Sequence, residues 1–467
     1  LGVAVRGVVA AGHPLTAKAG ADVVRAGGNA VDGAIAAMLV SFVTEPLLTG
    51  LGAAGYMLVA PPGEEPVLLD FSAEAPGRGV DLAERAPLTP FVVQFGDASQ
   101  VFHVGASSCA TYGAPAGVAT AAELFGSTPL HELVRPAVAL ARDGARVNQY
   151  QAHVCTLLWQ LATTANLLVD GRIPAEGDLL RQPELAESLE RFGKEGAAPF
   201  YTGDIGTAIS DEVRAHGGTL SHEDLAAYRV IRRAPLRVSH RGRLICTNPP
   251  PAAGGALLAH MLEVLPERPD TVELARAMAS KPLVADRLGS TTHISVLDAD
   301  GLACSVTCTN GAGSGVAVRG TGVHMNNMMG EEDLSPNGFF SHAPGDRLPS
   351  MMAPTAVTLD TVPELVLGSA GSSRICGAIL QVLVNVVDRG MRAQEAVDAP
   401  RVHVDGGIVH AEPGVDVAAL ETAGYAVSRF RAPSLFFGGC QAVERVRGTG
   451  ELMGGGDQRR GGAVVIA

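Results

Sequence analysis

Two threonines stand where a buried strand begins, in Ser290-Thr291-Thr292-His293-Ile294-Ser295-Val296-Leu297. A threonine hydroxyl inside a chain is a weak nucleophile because no base is attached to it. At the first position of a chain its own α-amine, with a reference pKa of roughly 7.7–8.0, can take the hydroxyl proton. Chemistry at Thr291 therefore requires scission of the Ser290–Thr291 bond. That cut would divide the chain into segments 1–290 and 291–467 that remain one intertwined domain. The plainer reading is two β-branched residues that suit a strand, and the pair alone leaves both readings open.

The elements that would position Thr291 are local. A strand runs from Ile294 into Asp298-Ala299-Asp300-Gly301, and a second runs from Leu302 to Thr309, apolar at 302, 304, 306 and 308. Alternation around a short Asp/Gly loop predicts a hairpin. Thr309 ends the returning strand, where a cross-strand neighbour of Thr291 would sit. Upstream, Val3–Ala11 reads as a strand and Pro14–Ala26 as a helix stopped by Gly27-Gly28. Asn29 caps a second helix over Ala30–Val43, with Asp32 three residues on. That helix is apolar nearly all round, which predicts burial. Further helices are expected over Gln151–Leu168, from Gly203 to Gly218 and over Ala256–Leu265.

Gly50-Leu51-Gly52-Ala53-Ala54-Gly55 fits GxGxxG, with Asp70 twenty residues after Gly50. A dinucleotide site needs strand, glycines, then helix. Here a helix precedes and a strand, Tyr56–Ala60, follows, so close backbone approach is the better reading. This disfavours a dinucleotide oxidoreductase.

The 467 residues are 47% hydrophobic and 18% charged, enough for a large core. Thirty-five basic against 48 acidic residues give a net charge of −13, which argues against nucleic acid as a partner. Seven cysteines without a close CxxC pair fit neither a disulfide framework nor a zinc site. The histidines lack ligand spacing, and Asp298-Ala299-Asp300-Gly301 lacks the rest of a calcium loop. No metal and no cofactor are expected. The longest apolar stretch, Ala34–Val43, is too short to span a bilayer, so no membrane partner is expected. No signal peptide is read, which favours the cytoplasm over other compartments.

Thr291-Thr292-His293-Ile294-Ser295-Val296 resembles the start of the small subunit of the gamma-glutamyltranspeptidase family of N-terminal-nucleophile hydrolases, and the likeness extends over nearly the whole chain. The resemblance implies an α+β fold, a four-layer αββα sandwich. It implies that Thr291 is the nucleophile, that Thr309 hydrogen-bonds it, and that Lys281–Ser290 covers the site before the cut. Gly368-Ser369-Ala370-Gly371-Ser372-Ser373-Arg374 matches the family's glycine-rich turn. Its N–H groups, at Gly371 and Ser372, would form an oxyanion hole, worth about 2.7–4 kcal/mol per donor. A plain helix N-terminus is the alternative. Asp457-Gln458-Arg459-Arg460 looks like a family surface turn.

The same resemblance assigns a substrate pocket, and there the chain departs from the pattern. Ser72, in Asp70-Phe71-Ser72, stands where the family's arginine grips an α-carboxylate, a bidentate task suited to guanidinium. Asn310 falls near an asparagine that contacts the donor's amino group. Met328 stands where the family has Gln or Glu, and Glu331 where it has Asp, both ligands of an α-ammonium. Ser350 is kept where one carboxylate-binding serine lies, and Met351 replaces the second. Methionine cannot make a charge-assisted hydrogen bond. The implied activity is acyl hydrolysis or transfer from an amide-type small molecule to water or an amine, with a donor other than a standard gamma-glutamyl compound. Hydrolysis of a carbon–carbon bond next to a carbonyl in a biosynthetic pathway stays open, as does a non-catalytic relative that binds a metabolite. The two self-cleaved segments would stay associated, with a dimer of heterodimers as a further expectation.

Overall fold

A computed structural model describes residues 5–95, 98–280 and 291–467. Ser290, the rest of 281–290 and Val3 lie outside the described residues. Thirteen strands build two sheets: β1 Gly7–Ala11, β2 Ala54–Ala60, β3 Val67–Phe71, β4 Ile231–Arg233, β5 Leu236–His240, β6 Arg243–Thr247, β7 Thr292–Asp298, β8 Ala303–Thr309, β9 Thr355–Leu359, β10 Val362–Ala370, β11 Gly439–Arg445, β12 Leu452–Gly456 and β13 Ala463–Ile466. The first sheet has the order β13-β1-β7-β8-β2-β3-β4 and the second β12-β11-β10-β9-β6-β5. All neighbours in both are antiparallel.

β7 and β8 are the hairpin, paired from Thr292↔Cys308 to Leu297↔Ala303. Because side chains alternate, Ile294, Val296, Cys304, Val306 and Cys308 face one helix layer. His293, Ser295, Ser305 and Thr307 face the second sheet. The outer layer on the first side is α1 (Pro14–Arg25) and α2 (Ala30–Thr44), which pack on β1, β7, β8 and β13. Every residue of α2 is buried, as its all-round apolar sequence requires. Side chains such as Ile35, Leu39 and Val40 contribute about 1.5–3 kcal/mol each. The opposite layer is α3 (Ala253–Val264), α4 (Thr271–Ala279) and α5 (Arg374–Val387), with α5 against β10 and β11. Helix, sheet, sheet, helix: the chain is a four-layer αββα sandwich.

Two devices fix α2. Asn29 Oδ1 accepts from the N–H groups of Val31 (2.9 Å) and Asp32 (3.0 Å), and Asp32 Oδ2 accepts from Asn29 N–H (3.0 Å). Asp298 Oδ2 accepts from Ala30 N–H (2.9 Å), while its Oδ1 accepts from Leu302 N–H (3.0 Å). The acidic hairpin turn thus caps a helix. The glycines of the GxGxxG stretch serve close approach: a Cβ on Gly52 would lie 2.6 Å from the His324 carbonyl and one on Gly55 2.2 Å from that of Thr307.

Between the sheets runs a polar seam. His293 Nδ1 bonds Thr307 Oγ1 (2.8 Å) and its Nε2 bonds Ser295 Oγ (2.9 Å). Ser295 and Ser305 donate across to the carbonyls of Gln441 and Leu367 (3.1 Å each). Burial pushes the His293 imidazole down to about 3, so it stays neutral.

Two expectations are corrected. The helix expected over Gln151–Leu168 is broken at Leu158 into Gln149–Leu157 and Trp159–Thr164. The break lets Leu158 and Leu161 both enter a satellite core with Leu47 and Leu48 while Trp159 stays exposed. The turn Asp457–Arg460 is only partly at the surface: Gln458 is exposed, but Asp457 and Arg460 are 0% and 5% exposed. A buried ion network holds it in place.

Candidate active site

Extending the β7–β8 register by one pair sets Thr309 opposite Thr291. Both line one cavity at the end of the hairpin, together with Ser72, Met328, Glu331, Ser350, Met351 and Ser372. These eight residues come from six separate stretches of the sequence, so the tertiary fold is what assembles them. Asn310 and Gly371 do not line it. Asn310 is fully buried behind the wall, where its Nδ2 donates to the His324 carbonyl (3.3 Å). Gly371 lies one residue before Ser372, at the end of β10. Thr309 Oγ1 accepts from Gly311 N–H (2.9 Å), which orients the hydroxyl at the strand end.

The turn between β10 and α5 is tight. Gly371 has φ 122° and Ser372 φ 51°. The second value is left-handed for a residue with a Cβ, a strained position that surrounding contacts must hold. Ser372 Oγ supplies one by donating to Asp333 Oδ2. Ser372 itself lines the cavity.

Much of the lining is apolar: Met328, Leu334, Leu348, Met351, Met352 and Ile375. Among the described residues no lysine, arginine or histidine contributes to it. Ser72 cannot substitute for a guanidinium, because its hydroxyl is spent on Asp70 Oδ1 (2.7 Å). Arg347 is held by other partners, although its Nε has no hydrogen-bond acceptor. It pairs with Glu74 (3.4 Å) and Asp70 (3.8 Å), stacks 4.6 Å above the Tyr228 ring, and donates to the carbonyls of Ser72 and Arg229. Two acids do line the cavity, Glu331 and Asp333. Glu331 Oε1 is shut off from solvent without a hydrogen-bond partner. Burial, then the neighbouring Asp333 charge, holds the Glu331 carboxyl well above its usual range.

On the reverse face of β7, Thr292 Oγ1 donates to Glu45 Oε2 (2.8 Å), and Thr16 Oγ1 donates to Oε1 (3.3 Å). Glu45 is 1% exposed, and burial raises its carboxyl from 4.5 to about 7 against the lowering effect of the two hydroxyls. Gly12 leaves room for this contact: a Cβ there would lie 2.8 Å from Glu45 Oε2. The sequence reading missed Glu45, Asp333, Arg347 and Arg460. Only Glu45 carries a signal, a lone acid directly after an all-apolar helix.

Among the described residues no three His, Cys, Asp or Glu side chains cluster as metal ligands, and no helix is long and apolar enough to cross a membrane. What the cavity gathers is a strand-end threonine, a second threonine beside it, and Ser372 from the glycine-containing turn. That set can support acyl transfer without a metal.

Known proteins agree. The family model for gamma-glutamyltranspeptidase matches residues 16–284 and 267–467. The chain is 31% identical to the acylase ACY 1 proenzyme of Pseudomonas sp. (strain SE83), over 89% of this chain and 86% of that protein. It is 30% identical to the glutathione hydrolase proenzyme of Escherichia coli (strain K12), over 85% and 81%. The crystal structure of a cephalosporin acylase from Bacillus halodurans superposes with a TM-score of 0.83 at 26% identity, covering 99% of this chain and 96% of that one. The chain therefore belongs to the gamma-glutamyltranspeptidase family, as a self-processing threonine-nucleophile hydrolase/transferase.

Proposed function

We propose that the chain cuts itself between Ser290 and Thr291 and that the freed Thr291 hydrolyses or transfers acyl groups from small-molecule amides lacking a terminal carboxylate. Thr291 Oγ attacks the amide carbonyl and its α-amine takes the hydroxyl proton. The N–H groups of Gly371 and Ser372 receive the developing oxyanion. The α-amine then protonates the leaving nitrogen, and water or an amine releases the acyl group from Thr291. Thr309, opposite in the register, holds the hydroxyl.

The observation that carries the substrate class is the cavity lining. Its acyl side is Met328, Leu334, Leu348, Met351 and Met352, and among the described residues its ionisable side chains are the two acids Glu331 and Asp333. A donor carboxylate would meet two acids and no cation, an unpaired burial that is costly. An apolar acyl chain suits the methionines. A nitrogen-bearing end suits Glu331, whose unpartnered oxygen needs an N–H donor. The Pseudomonas acylase and the Escherichia coli glutathione hydrolase bracket this reading, as one named for acyl removal and one for glutathione.

Mass spectrometry of the purified protein tests the cut. Wild type should yield a fragment beginning at Thr291, while Thr291→Ala stays whole and loses turnover of every donor. The donor class is tested with acyl amides of equal length ending in methyl, amine or carboxylate, with glutathione included. The carboxylate and glutathione should be the poorest. Ready glutathione turnover, or an active uncut chain, would refute the proposal.

A further inference from the structure

Behind the oxyanion turn lie three buried guanidiniums and two buried carboxylates. Arg401 pairs with Asp457 (2.7 Å), and Arg459 pairs with Glu412 (2.6 Å) and with Asp457 (3.2 Å). These contacts tie the turn Asp457–Arg460 to Arg401 and Glu412, and Arg459 also donates to the carbonyls of Val397 (2.9 Å) and Ala399 (3.0 Å). The third guanidinium, Arg460, is 5% exposed and has no carboxylate partner among the described residues. Its Nη2 donates to the Leu435 carbonyl (3.1 Å), and its Nε is shut off from water with no partner. Three positive charges against two negative leave one uncompensated. A buried, unpaired charge is destabilising, and a well-packed apolar side chain of similar volume would serve the core better.

Its position suggests why it is kept. An ideal Cβ on Gly371 would lie 3.1 Å from Arg460 Nη2 and 3.6 Å from its Cζ. The guanidinium therefore rests against the back of Gly371, the residue before the N–H of Ser372. Gly439, beside it on β11, has no side chain for the same reason: a Cβ there would lie 2.6 Å from Arg460 Cδ. Asp457, three residues away, is already paired with Arg401 and Arg459, and Asp333, at the same turn, accepts from the Ser372 hydroxyl. The positive charge is thus directed at the turn rather than at a counter-ion.

We infer that Arg460 is an electrostatic positioning residue for the reaction at Thr291. Acting through the backbone of Gly371, its charge stabilises the oxyanion that forms against the Gly371 and Ser372 N–H groups. This rests on the proposed reaction. The bond that forms is Thr291 Oγ to the acyl carbon. The carbonyl π pair moves onto oxygen and returns when the C–N bond breaks, so Arg460 neither gains nor loses a proton. As a general scale, a unit charge about 7 Å from a developing oxyanion at an effective dielectric of about 20 changes the rate by about 50-fold.

The test uses processed enzyme with a chromogenic acyl anilide, comparing Arg460→Met, which removes the charge at similar length, with Arg460→Lys, which keeps it. Arg460→Met should lower kcat by about 10- to 100-fold with KM within about twofold, while its melting temperature is unchanged or higher. Arg460→Lys should recover most of the lost kcat. A Met variant with wild-type kcat overturns the inference, as does a Lys variant no better than Met, or a loss of kcat that only tracks a lowered melting temperature. If Met does not fold, Arg460→Lys against Arg460→Gln makes the same comparison. Thr291→Ala separates the two claims. If it retains turnover the proposed reaction fails; if it is dead while Arg460→Met is fully active, only the role of Arg460 fails.

Discussion

Replacing Glu45 by glutamine should flatten one part of the pH dependence of stability. In the folded chain burial holds the Glu45 carboxyl at about 7, against 4.5 for an unburied glutamate. The folded state therefore binds this proton more tightly than the unfolded state does. Below about pH 4.5 both states are protonated, and the stabilising contribution is fully present. As pH rises from 4.5 to 7, the unfolded chain loses the proton while the folded chain keeps it, so stability falls; above 7 the contribution is gone. The full window is worth about 3.4 kcal/mol, and the change between pH 5 and pH 8 is about 2.5 kcal/mol. Cys308, within electrostatic reach, is pushed up to about 12 by burial, and burial also raises Tyr150, so neither titrates in this window. Glutamine keeps an acceptor for the Thr292 hydroxyl but carries no proton to lose. In a Thr291→Ala background, which keeps the chain whole, urea unfolding at both pH values measures the effect. The variant should gain about 2.5 kcal/mol relative to its parent between pH 5 and pH 8. An equal difference at both pH values, or a gain on the acid side, would refute the argument that Glu45 is buried without a basic partner.

Other changes test the scaffold. Asp32→Ala removes the acceptor for Asn29 N–H, for Ser127 N–H (3.0 Å) and for the Thr128 hydroxyl (3.1 Å), and should cost about 3 kcal/mol in urea unfolding. A cost below about 1 kcal/mol would mean that the loop after Phe125 is held by something else. Gly368→Ala would place a Cβ 2.2 Å from His293 Cε1 within the inter-sheet seam. The ring is pinned by Thr307 and Ser295, so a loss of about 3 kcal/mol is expected, and Gly368→Ala with His293→Ala should recover part of it. No recovery would show that the strand backbone, rather than the ring, sets the limit.

The elements near Thr291 were legible because their signals are local. Alternating apolar residues on both sides of Asp298-Ala299-Asp300-Gly301 gave the hairpin, and its register followed from the turn. Asn29 with Asp32 gave the start of α2, and an unbroken apolar run gave its burial. The motif around Thr291 was enough to expect the sandwich, since the fold's elements follow in the same order. Local pattern failed at Leu158, where the pull of a small core beneath Leu47 and Leu48 overrides helix continuity.

Taken alone, the sequence named the residues expected to carry chemistry and, by resemblance, the family features that are missing, among them the arginine absent at Ser72 and the polar groups absent at Met328 and Met351. It could not determine what stands in for them. Arg347 is neutralised by Asp70 and Glu74, far away in the chain, so its presence nearby restores no carboxylate grip. Arg460 was read as part of a surface turn, yet its neighbours Arg401, Glu412 and Arg459 draw that turn into the interior and leave its charge unpaired behind Gly371. Desolvation and charge pairing depend on what surrounds a side chain in three dimensions, and residues remote in sequence supply those surroundings. Composition and spacing name the ionisable groups; only packing decides which of them stay charged, which are neutralised, and where their field points.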